Sequence, residues 1–263
     1  MLSTHPPRPT GRRTGFTLVE LLVVVAVLAL LVGLLLPTVR SVQRSARTSA
    51  CLANIRAIEM AHLSYAEANK GFLADARLPH GGGDLGSTES FVTTLRPFLD
   101  DQTRVMRSPL DDSPHWPVLL GGQGIAVPGS GGKRFRQTSY GINNHLAREF
   151  SPWAAIDPAR LTDRLQRIPS PASTVHTLCM TTTGDFAGAD HPHVETWSNG
   201  TRAGPLAAAQ IGSGWAGGTA STSDARGNYG FVDGHVTSET FGRLYLDMNA
   251  NAFDPLTART FRP

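Results

Sequence analysis

The chain has 263 residues, with 24 basic against 21 acidic side chains and a formal charge of +3. That length suits one globular domain plus an anchor, and so small a positive excess makes no argument for a nucleic-acid partner. The two cysteines, Cys51 and Cys179, permit one disulfide and exclude both a disulfide scaffold and a thiolate zinc site.

From Phe16 to Leu36 the chain reads FTLVELLVVVAVLALLVGLLL. At 1.5 Å per residue, a run of about 21 residues crosses the roughly 30 Å hydrocarbon core of a bilayer. Buried core helices are rarely so uniformly apolar. A removed secretory signal has a shorter run and a small-x-small exit, whereas this one ends in Pro37-Thr38-Val39-Arg40. The run therefore predicts a transmembrane helix that stays in place. Glu20 lies inside it. The bland reading puts that carboxylate at the headgroup level, but an intramembrane acid is costly unless paired, so it marks function by default. A cut between Gly15 and Phe16 would supply the partner, a free ammonium one helical turn from Glu20. The first turn also favours negative charge through the helix dipole. The ammonium would belong to the same chain or to a neighbouring subunit, and the second option favours assembly in the membrane.

Gly15-Phe16-Thr17-Leu18-Val19-Glu20-Leu21-Leu22 resembles the processing motif of type IV prepilins and type II secretion pseudopilins. The resemblance implies a basic leader over residues 1–15, cleavage after Gly15 by a prepilin peptidase, and N-methylation of Phe16. Arginines flank the helix on both sides, so the charge bias of the loops does not orient it. A cytoplasmic leader, an inner-membrane span over 16–36 and a periplasmic C-terminal domain are what the resemblance implies.

Pro37 is expected to kink the helix without ending it. Beyond it, Val39, Val42, Ala46, Ala50, Ala53, Ala57, Met60 and Ser64 recur at steps of three and four, and Cys51, Ile55, Ile58, His62 and Tyr65 form a second stripe. These predict an amphipathic continuation over 37–70 whose later half packs on a domain, with Gly71 as C-cap. The small residues of the first stripe would let helices approach closely. His62 reads as a packed core histidine rather than a ligand.

Residues 71–263 read as a loop-rich domain. Glycine-rich stretches at His80–Asp84, Gly121–Gly124 and Pro128–Gly132 predict loops, and none has the context of a phosphate cradle. Phe91–Leu99 predicts a short helix. Thr138–Ile142, Ser173–Met180, Tyr229–Val232 and His235–Thr240 predict strands, the last two joined through Asp233-Gly234. Asp233 would close that turn, Gly234 would supply a positive φ, and His235 would begin the next strand. Together these predict an α+β, pilin-like architecture: a long N-terminal helix laid on a small antiparallel sheet with long loops.

Asn228–Val236, Thr138–Asn143 and Cys51–Arg56 resemble scattered signatures of a bacterial prepilin-type-processing-associated family, named for a histidine ten positions before an Asp-Gly pair. Here that position is Ser223, and Ser108 stands where relatives carry a cysteine before proline.

Three further clusters are candidates. In Asp190-His191-Pro192-His193-Val194-Glu195, alternate residues of an extended segment would turn His191, His193 and Glu195 toward one metal; the plainer reading is an exposed polar loop. Asp185, Asp190 and Asp233 with nearby carbonyls would suit calcium, which major pseudopilins use, although no loop of EF-hand spacing occurs. Cys51 and Cys179 would face each other across helix and strand, as a bridge or as two buried thiols. No Gly-x-Ser-x-Gly elbow frames a nucleophile, so no reaction is assigned. The reading is a structural pseudopilin-like subunit without a cofactor, whose partners are the peptidase, sister subunits and the inner membrane. Its rival is a single-pass anchored binding protein that forms no filament.

Overall fold

The computed structural model describes residues 15–80, 90–132, 134–197 and 202–258. Most of the expected leader, at 1–14, and the glycines of the expected loop at 81–84 lie outside the described residues. The chain forms two units, Met1–Arg44 and Ser45–Pro263. Helix α1, Leu18–Ala68, begins in the first and ends in the second.

In the first unit every described residue is exposed. A helix that is apolar all round and buries none of its faces has lipid or other apolar helices as its natural surroundings. It makes the chain a single-pass, membrane-anchored protein. Pro37 lies within α1 without ending it, and Thr38 Oγ1 donates to the Leu35 carbonyl at 2.7 Å in the same turn.

In the second unit α1 buries Cys51, Ile55, Ile58, Glu59, Ala61, His62 and Ala66. The second apolar stripe is thus the face that packs, while Ala46, Ala50, Ala53, Met60 and Ser64 of the first stay exposed. The helix ends in a Schellman-type cap, in which the Gly71 N–H donates to the Ala66 carbonyl at 2.8 Å. Lys70, with φ +58°, takes the left-handed position expected of Gly71, and Gly71 follows it at φ +82°. The expected helix over Phe91–Leu99 is two pieces, α2 (Phe91–Thr94) and a 3-10 turn (Arg96–Leu99). Pro97 explains the break, since it has no N–H to continue an α-helix and crowds the carbonyl four residues back.

The sheet has the order β1 (Tyr140–Ile142), β2 (Val175–Cys179), β3 (Arg226–Phe231), β4 (Val236–Thr240), antiparallel throughout. A second sheet pairs β5 (Tyr245–Asp247) with β6 (Ala250–Asn251), strands too short to leave a period in the sequence. One apolar cluster joins Cys51, Ile55 and Ile58 of α1 to Tyr140, Ile142 and Cys179. Another gathers Val175, Leu178, Trp197, Tyr229, Phe231, Phe241 and Phe253. Val175 and Leu178 share a cluster despite their odd spacing because the β2–β3 register slips between them; such a bulge re-aims side chains.

At that irregularity α1 contributes a buried acid. Glu59 Oε2 meets His176 Nδ1 at 2.7 Å, and Glu59 Oε1 accepts the Thr177 N–H at 3.1 Å. Gly230 lets β3 pass beneath it: a Cβ there would stand 2.3 Å from Glu59 Oε1 and 2.7 Å from Ile55 Cγ2. The hairpin tip docks on the same helix, with Arg56 Nη1 donating to the Gly234 carbonyl.

Candidate functional site

Thr17 begins the helix, and Glu20 completes a reciprocal cap with it. The Glu20 N–H donates to Thr17 Oγ1 at 3.2 Å, while Glu20 Oε2 accepts from the Thr17 N–H at 2.8 Å and from its hydroxyl at 2.7 Å. This is the capping box of a helix N-terminus. Sequence reasoning gave Glu20 only an ammonium partner and missed this one, although Thr-x-x-Glu is its standing signature. The cap holds the carboxylate at the helix start, against the Thr17 N–H. Among the described residues, a Cβ at Gly15 would meet no atom within 4 Å, and Phe16 is 71% exposed.

Asp233 and Gly234 lie in the turn between β3 and β4. The Gly234 N–H donates to the Phe231 carbonyl at 2.7 Å, and Gly234 has φ +90°, the left-handed residue of a three-residue hairpin loop. Asp233 Oδ1 accepts from the His235 N–H at 3.0 Å and meets its Nδ1 at 2.6 Å. β4 itself begins one residue after His235, at Val236, although the Phe231 N–H still donates to the His235 carbonyl at 3.0 Å, and the His235 ring stacks on Phe231 at 4.2 Å. Ser223 accepts the Gly242 N–H through its carbonyl, a structural contact only.

Cys51 and Cys179 are buried and unbridged, with their sulfurs 3.6 Å apart. Hydrogen bonding from the Cys179 thiol pushes Cys51 down to about 6, against the effect of burial, while Cys179 is raised. The Ser108 hydroxyl lowers Cys51 as well, so it sits beside the same thiol.

The segment Asp190–Glu195 does not form the extended strand expected of it; Val194–Thr196 is a 3-10 turn. Glu195 therefore joins His193 instead of pointing in parallel with it: His193 Nδ1 meets Glu195 Oε1 at 2.9 Å, and Glu195 Oε2 accepts from Asn144 Nδ2 at 2.6 Å. Asp190 is fully buried. Its Oδ1 meets His191 Nδ1 at 2.9 Å and accepts the Leu78 N–H at 3.1 Å; its Oδ2 accepts the Arg77 N–H at 3.0 Å and the Ser90 hydroxyl at 2.7 Å. Its oxygens are taken by these donors, and Asp233 is held in the hairpin; among the described residues, Asp185, Asp190 and Asp233 do not converge. What the fold assembles is His80 with His191 and His193. Burial, then the two neighbouring imidazoles, pushes His80 down to about 4. Nothing near His80 in the sequence announces this, since its partners lie more than a hundred residues away.

Residues 11–36 match the family model described as the prokaryotic N-terminal methylation motif. The match contains Gly15, Phe16 and Glu20, and makes the chain prepilin-like or pseudopilin-like at its N-terminus. Neither a curated protein nor a solved structure matches the chain.

Proposed function

We propose that this prepilin-like chain is a structural subunit of a type II secretion pseudopilus or a type IV pilus-like fibre. A prepilin peptidase cuts after Gly15, Phe16 becomes the methylated N-terminus, and α1 anchors the subunit in the inner membrane with residues 71–263 on the periplasmic side. Assembly runs through the helix, where Glu20 of one subunit meets the Phe16 ammonium of the next. The observation that carries this reading is the coincidence of the methylation motif with an apolar helical segment, up to residue 44, that buries none of its faces. The capped, exposed junction at Gly15–Phe16 and the exposed Ala46, Ala50 and Ala53 support it. The work is mechanical and no reaction is assigned.

Mass spectrometry of the native N-terminus tests the reading. Methyl-Phe16 is expected; a mature protein that begins at Met1, or beyond Leu36, refutes it. Gly15 substitutions should block the cut and leave insertion intact, because the apolar helix is untouched.

One feature favours the rival, a singly anchored binding protein. An open cleft of about 740 Å³ is lined by Arg104, Arg107, Trp116 and Leu119 among others, with Leu119 95% exposed. Crosslinking in membranes separates the two: a subunit gives ladders through α1, a binding protein stays monomeric.

A further inference from the structure

His80, His191 and His193 each present one ring nitrogen, and the three nitrogens lie within 4.8 Å of one another. His193 Nε2 and His80 Nε2 are 3.0 Å apart. Two of the rings are held from behind by carboxylates, His191 by Asp190 and His193 by Glu195, each at 2.9 Å through Nδ1. A carboxylate on Nδ1 keeps the proton there and leaves Nε2 as a lone pair, the arrangement found behind metal-bound histidines. His191 is fully buried, and its Nε2 has no hydrogen-bond partner. Phe150 stacks on His191 at 3.9 Å and Phe186 lies against His80 at 4.3 Å, so the rings lie between apolar walls.

The bland account is one hydrogen bond, His80 N–H to His193 Nε2. It explains the 3.0 Å contact and leaves the buried His191 nitrogen orphaned, which native interiors rarely tolerate. A cation bound by all three satisfies the three converging nitrogens, the buried one of His191 included. We propose that His80, His191 and His193 form a binding site for one zinc(II)-type divalent cation, with Asp190 and Glu195 orienting two of the ligands. Imidazole ligands suit zinc and its late first-row neighbours, not calcium or magnesium. With Zn–N distances of about 2.0–2.1 Å, tetrahedral geometry puts ligand nitrogens roughly 3.3 Å apart. The closest pair is near that already, and the others need to close by at most about 1.5 Å, within reach of side-chain rotation. Three protein ligands leave one coordination position for water or a partner's side chain. The ion would join the segment ending at His80 to the Asp190–Glu195 loop, reinforcing the hydrogen bonds from Arg77 and Leu78 to Asp190.

The test uses the full-length chain in detergent, purified without a polyhistidine tag, stripped with chelator and titrated with zinc chloride. One equivalent of zinc should survive gel filtration and raise Tm, and cobalt(II) should give visible d–d bands in its place. His80→Ala and His193→Ala alter half-buried side chains and should lose the metal while folded by circular dichroism. Glu195→Gln should still bind at saturation with affinity lowered about 10–100-fold. Cys51→Ser should retain the metal. Folded wild-type protein that takes up no stoichiometric zinc overturns the proposal. So does a His80→Ala protein with wild-type affinity, or loss of zinc on replacing Cys51. His191→Ala, which alters a fully buried ring, is not needed for the decision.

Discussion

Glu59→Ala should unfold the domain far more easily while leaving membrane insertion unchanged. Glu59 is a fully buried acid on α1, and it holds two donors of β2, His176 Nδ1 at 2.7 Å and the Thr177 N–H at 3.1 Å. Each bond to a charged acceptor is worth about 1.5–3 kcal/mol, and removing one partner of a buried pair costs about 3–5 kcal/mol in all. For a domain of this size, about 2–4 °C of Tm per kcal/mol makes that a fall of roughly 6–20 °C. Glu59→Gln should cost only about 1–2 kcal/mol. It keeps the shape and one acceptor, and His176, whose Nε2 has no partner, can move its proton there and accept at Nδ1. The assay is thermal or denaturant unfolding in detergent, followed by fluorescence of the buried Trp116 and Trp197. A Glu59→Ala protein within about 1 kcal/mol of wild type would show that this acid does not tie helix to sheet.

Glu20→Ala should insert at least as readily as wild type, since it removes an intramembrane charge, yet yield few filaments or crosslinked ladders; wild-type assembly would refute the pairing with Phe16. Burial, then the nearby His176, holds His62 well below its ordinary 6.5, and both its ring nitrogens lack partners. The unfolded chain takes up a proton near 6.5 and the folded one does not, so this contribution is complete above pH 6.5 and falls away below it, by up to about 1.4 kcal/mol per pH unit. His176 of β2, itself bound to Glu59, and Phe91 of α2 face this ring; His62→Phe should flatten the acid limb of stability, and an unchanged slope would exclude His62 as its source. Diamide treatment should close Cys51–Cys179 within the monomer, adding up to about 5 kcal/mol across so long a loop; two titratable thiols after oxidation and denaturation would refute it.

Features whose causes lie within one or two turns of chain are legible in the residues alone. The apolar span, the methylation motif, the Asp233-Gly234 hairpin and the packing stripe through Cys51, Ile55, Ile58 and His62 are local patterns, governed by hydrophobic period and turn chemistry. The Thr17–Glu20 cap was equally local. Which polar groups meet inside depends on contacts between distant segments. Glu59 lies on a helix face flanked by Ile55, Ile58 and His62, and its partner lies 117 residues away at a bulge that no strand period announces. His80 reaches His193 across 113 residues because Asp190 gathers the Arg77 and Leu78 N–H groups to its own loop. A buried polar group must find a partner somewhere, but residue type does not say where. The crossing of helix on sheet and the register of β2 choose it.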